Sequence, residues 1–176
     1  MSNDVPSWTA VPADRILVPS LLAFAATSLL FDRAAGLDLV APDSPDPFGR
    51  MLWAYGTRFD PLVAENPLFL RIMSFISGFV YGPAYLWLAR ALVRRDPAIV
   101  VPTRIYAHTI LYSMVVHVAA EVLWPRPPDS WAVLAAIYAP YVLVPLALLW
   151  RVETAPWCRR GARATPSPEG RRAPGR

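Results

Sequence analysis

Three stretches of mostly apolar residues, Leu68 to Val93, Thr103 to Trp124 and Trp131 to Trp150, are each long enough to cross a bilayer as a helix. About 20 such residues span roughly 30 Å of hydrocarbon. Inside that slab only helices and closed barrels satisfy their own backbone hydrogen bonds. Trp124, Trp131 and Trp150 fall at the ends of these stretches, where interfacial aromatics belong. A fourth run, Ile16 to Phe31, has only 16 uninterrupted apolar residues. At about 1.5 Å per residue it reaches roughly 24 Å, short of the hydrocarbon core. The helix is therefore expected to continue through Asp32 and Arg33 to Leu37, which puts Asp32 at the membrane boundary.

The predicted fold class is an all-α membrane protein, a four-transmembrane-helix bundle with an intramembrane ligand cavity. Composition agrees: 55% of the 176 residues are hydrophobic and 17% charged, against about 25% charged in soluble domains. Residues 1–14 form an N-terminal segment, 15–152 the membrane domain and 153–176 a basic tail. That tail is rich in Arg, Pro and Gly, and is expected to be disordered. Met1 to Ala13 has no basic residue, so it lacks the positive region of a cleaved signal peptide, and the first span reads as retained. The single Cys158 lies in the tail and excludes an internal disulfide.

The net charge of +4 does not point to nucleic acid, because the basic residues sit at span edges and in the tail. All of them are Arg, which reads as a GC-rich coding sequence and a bacterial inner membrane. Arg90, Arg94, Arg95 and Arg104, together with the Arg-rich tail, mark one side as cytoplasmic, and both termini with it. The loop between the first two spans is acidic, with Asp38, Asp43, Asp46, Asp60 and Glu65. Met51, Tyr55, Phe59 and Leu62 recur in it at helical spacing and predict a short interfacial amphipathic helix.

Ionisable residues inside spans are costly and face the bundle interior or a wet cavity. His117 and Glu121, four apart on the third span, share a face with Ser113. Such a pair can pass a proton as acid and base; the alternative is a hydrogen-bonded pair that fixes helix packing. His108 lies on roughly the opposite side and reads as a packing residue. Ser74, Gly78 and Gly82 recur every four residues and are expected to bring helices close, the alternative being that they leave room for a ligand. Pro83, Pro140 and Pro145 are expected to kink their helices and open a cavity. Tyr138 and Tyr141 flank Pro140 and either line that cavity or anchor at the interface. No phosphate loop, zinc-ligand spacing or hydrolase elbow occurs, so no cofactor and no metal is expected.

Four segments carry a resemblance: FDRAAGLDLV (31–40), WAYGTRFDPLVAENP (53–67), VYGPAYLW (80–87) and YAPYVLVPLALLW (138–150). Over about residues 15 to 152 the chain resembles the EXPERA superfamily, which includes the sigma-2 receptor and the sterol Δ8–Δ7 isomerase, or emopamil-binding protein. The resemblance implies a four-helix fold whose intramembrane cavity opens sideways to lipid and takes sterols and amphiphilic amines. It implies that Asp32 helps hold a ligand cation, that Asp60 supports it, and that Tyr141 lines the cavity. The isomerase's histidine one turn before the acid is replaced by Ser28, and its second-helix glutamate has only Ser74 and Ser77 in its place.

Two functions follow as expectations. One is binding of a sterol-like or isoprenoid ligand by Asp32, Asp60, Ser113, Tyr138 and Tyr141. The other is a double-bond isomerase or cyclase, with Asp32, His117 and Glu121 carrying protons. A third, a partner protein that retains another membrane protein, has less in the sequence behind it. Expected partners are a lipophilic small molecule and membrane lipid, with a homodimer compatible and nucleic acid excluded.

Overall fold

A computed structural model describes residues 8–158 of the chain. Among these residues there is no strand, and four helices are long and apolar enough to cross a membrane. They are α1 (Pro12–Gly36), α4 (Leu68–Arg94), α5 (Val100–Leu123) and α6 (Trp131–Thr154). The loop between α1 and α4 holds two short helices, α2 (Pro47–Phe59) and α3 (Pro61–Glu65). The expected interfacial helix is thus two helices. Pro61 opens the second, and Asp60 caps it by accepting from the Val63 amide at 3.1 Å.

The first helix begins three residues before the domain boundary read from the sequence, because Pro12 suits the first turn of a helix. It continues past Phe31 as expected, but through a π-wound turn, Ser28–Asp32. The second span contains a matching π turn, Ser77–Tyr81, just before Pro83. A π turn sets one residue out of α register, and such turns recur at functional sites. The two π turns pack against each other. Close approach is made possible there by glycine. A Cβ on Gly78 would stand 2.8 Å from the Arg33 backbone nitrogen, and one on Gly36 would stand 2.5 Å from the Phe75 Cα. Within the small-residue stripe of the second span, Gly78 and Gly82 serve helix packing, while Ser74 lines a cavity.

The helices close into a ring. α1 lies along α4, α5 lies along α6, and α1 also contacts α6. Tyr85 of α4 meets Tyr106 of α5 edge-on at 5.3 Å, and Phe24 of α1 stacks on Tyr141 of α6 at 4.5 Å. At the end away from the loop, Arg151 grips Asp14 through two hydrogen bonds of 2.8 and 3.0 Å, both groups buried. On the outer face of α5, Ile105, Tyr112, Val115 and Val122 are exposed apolar side chains at helical spacing, a surface made for lipid. α6 runs unbroken through Pro140 and Pro145. Ala155 and Cys158 are buried against the core, so the chain packs beyond the expected end of the domain. The Arg-rich stretch that follows lies outside the described residues.

Candidate functional site

Between the loop and the bundle core lies a cavity of about 350 Å³. Helices α1 to α6 all contribute to its wall. Apolar and aromatic side chains dominate, with Thr27, Asp32, Ser77, Ser113, His117 and Tyr138 among the polar ones. Ile76 and Ile137 line it while remaining 44% and 39% exposed, so the cavity reaches the outer face of the bundle.

Asp32 sits in the α1 π turn, and its carboxylate is held by two serines. Ser77 Oγ donates to Asp32 Oδ2 at 2.7 Å and Ser28 Oγ at 3.0 Å, and the two hydroxyls are 3.0 Å apart. The facing π turns deliver Ser28 and Ser77 to the same oxygen. The residues that stand where the resemblance expects a histidine and a glutamate thus become hydroxyl support for the acid. Close by, Tyr141 Oη lies 3.3 Å from Thr27 Oγ1.

Asp60 belongs to a second polar group. Tyr138 donates to its Oδ2 at 2.6 Å and Tyr55 reaches the same oxygen at 3.4 Å. Burial, and then the Asp60 carboxylate beside it, push the Tyr55 phenol well above its ordinary range, so it stays a donor. The ligand atoms of Asp60, His117 and Glu121 lie within 4.8 Å of one another. His117 Nε2 is 3.4 Å from Glu121 Oε1, and the His117 ring meets Tyr138 edge-on at 4.5 Å. The structure therefore brings Asp60 to His117, Glu121 and Tyr138. Asp32 hydrogen-bonds to Ser28 and Ser77 instead.

The other candidates fall into place around these two groups. Ser113 lines the cavity one turn from His117. Tyr138 and Tyr141 also line it and so are cavity tyrosines, the inward of their two expected positions. His108 is exposed, and its Nδ1 lies 2.7 Å from the Arg104 carbonyl of its own helix, outside both polar groups. Sequence reasoning passed over Asn66. It closes α3 in the left-handed region at φ 43°, lines the cavity, and donates from Nδ2 to the Ala35 carbonyl at 3.0 Å. Its position just before Pro67 was the available signal. Nothing in the spacing joins Asp60 to the third span, because the loop folds back over the bundle to deliver it.

The family model EXPERA, the expanded EBP superfamily, matches residues 47–152. The chain belongs to the EXPERA superfamily. The match takes in the EXPERA chain's Asp60, His117, Glu121, Tyr138 and Tyr141, and begins after α1 and Asp32. No curated protein and no solved structure matches the chain.

Proposed function

We propose that this EXPERA protein binds a sterol-like or isoprenoid lipophile in the cavity, its polar or cationic head at Asp32. The observation that carries this reading is a carboxylate, fixed by two serine hydroxyls, in the wall of a mostly apolar cavity. A cavity of about 350 Å³ lies within the usual range for small-molecule sites. Entry from the side is supported by Ile76 and Ile137, which belong to both the cavity and the outer face. A cation bound there meets a charge that water screens poorly. Both termini are assigned to the cytoplasm, on the strength of Arg90, Arg94, Arg95 and Arg104 at one end of the bundle.

Ser113→Trp fills the cavity from α5 and leaves Asp32, Ser28 and Ser77 unaltered. Native mass spectrometry of the purified protein should show a bound lipophile that this variant loses. Equal occupancy in both proteins would overturn the reading.

A second reading, a double-bond isomerase, is favoured by one observation: an acid, Asp32, and a base, His117, line the same cavity. Protonation at one carbon and loss of a proton at another would shift the double bond. Incubation with candidate polyenes in deuterated water should then leave deuterium in the product, and absence of exchange would exclude it.

A further inference from the structure

Asp60, His117 and Glu121 are 0%, 6% and 1% exposed. Two observations set them apart from an ordinary hydrogen-bonded cluster. No hydroxyl or amide reaches His117 Nε2 or either Glu121 carboxylate oxygen, all of them buried; they face one another and Asp60. The 3.4 Å between His117 Nε2 and Glu121 Oε1 is also the separation of two ligand atoms on one ion. Two ligand atoms, each about 2.0–2.1 Å from a tetrahedral zinc, stand about 3.4 Å apart.

The surroundings fit the same picture. Asp60 is oriented by the Tyr138 hydroxyl on Oδ2 and the Val63 amide on Oδ1, as ligating carboxylates commonly are. The two carboxylates share His117 as their basic neighbour. Buried carboxyl groups this close to one another hold either a shared proton or a cation between them.

We propose that Asp60, His117 and Glu121 bind one divalent transition-metal ion. One imidazole nitrogen and two carboxylate oxygens suit Zn²⁺, with Mn²⁺ and Fe²⁺ next, and do not suit soft cations that prefer thiolates. His117 and Tyr138 also line the cavity, so the ion sits in its wall. The site is independent of the Asp32 anchor. It takes the His117 Nε2 lone pair that the isomerase reading needs, so the two are distinguishable.

The test is metal binding to the full-length, detergent-purified chain after chelator treatment. Co²⁺ reports by its visible bands, and Zn²⁺ by equilibrium dialysis. One ion per chain is expected. Glu121→Gln and His117→Gln should weaken binding at least tenfold. Tyr138→Phe removes no ligand atom and keeps its ring, and should weaken it about 10- to 100-fold by freeing Asp60. Asp43→Asn, an exposed loop carboxylate, should leave it unchanged. Substoichiometric binding by the wild type, or equal affinity in Glu121→Gln and Asp43→Asn, would overturn the proposal.

Discussion

Severing the Asp14–Arg151 pair should destabilise the bundle far more than removing the pair altogether. Asp14 is 0% exposed and Arg151 8%, and the guanidinium meets the carboxylate through two hydrogen bonds of 2.8 and 3.0 Å. Asp14→Leu leaves the Arg151 charge buried without a counter-charge, and Arg151→Met does the same to Asp14. Each single substitution should cost about 3–5 kcal/mol. In the double variant neither charge remains and two apolar side chains of similar reach fill the space. Its stability should lie within about 1 kcal/mol of wild type, or above it. The coupling between the two positions is then several kcal/mol and opposes additivity. Reversible unfolding in mixed micelles, followed by tryptophan fluorescence, measures all four proteins. Single variants that each cost less than about 1 kcal/mol, or a double variant equal to their sum, would refute the reasoning.

Three further outcomes follow from other contacts. Gly78→Ala should cost about 1–3 kcal/mol, because its Cβ meets Arg33 backbone at 2.8–2.9 Å. Gly82→Ala should cost less, because its Cβ meets the Leu29 side-chain tip, which can move; the same unfolding assay ranks the two. Burial alone pushes the Asp46 carboxyl up, but the Arg33 guanidinium and the Gly49 and Phe48 amides outweigh it and hold the group below the ordinary carboxylate range. The folded form therefore favours the ionised acid, and its stabilisation is present above about pH 3.9 and lost as pH falls through the lower folded value. Asp46→Asn should lack that acid-side loss in a pH series of unfolding midpoints. Burial raises the Cys158 thiol to about 11, so a thiol reagent near neutral pH should label the native protein slowly and the unfolded chain fast.

The four spans were legible because the membrane's thickness writes itself into apolar run length, and the bounds moved by only a few residues. The short first run correctly demanded a continuation past Asp32. The π turns were not legible: they arise where α1 and α4 pack through Gly78 and Gly36, a tertiary event. The serines at positions 28 and 77 read as losses of a histidine and a glutamate, and only the facing turns show that both bond one carboxylate oxygen. His117 and Glu121 declared themselves by their spacing of four. Asp60, more than fifty residues earlier, joins them through the fold of the loop, which no periodicity records. Asp14 and Arg151 stand at opposite ends of the described chain and meet for the same reason.

The central claim is that Asp32 anchors the head of a lipophile. The most direct test compares a lipophilic tertiary amine with its neutral carbon isostere, binding to wild type and to Asp32→Asn. A charge-assisted hydrogen bond in such a site is worth about 1.5–3 kcal/mol, and each 1.4 kcal/mol is about tenfold in affinity. The amine should lose at least about tenfold in Asp32→Asn while the neutral isostere stays within about twofold. Unchanged amine affinity, or an equal loss for both ligands, would contradict the account.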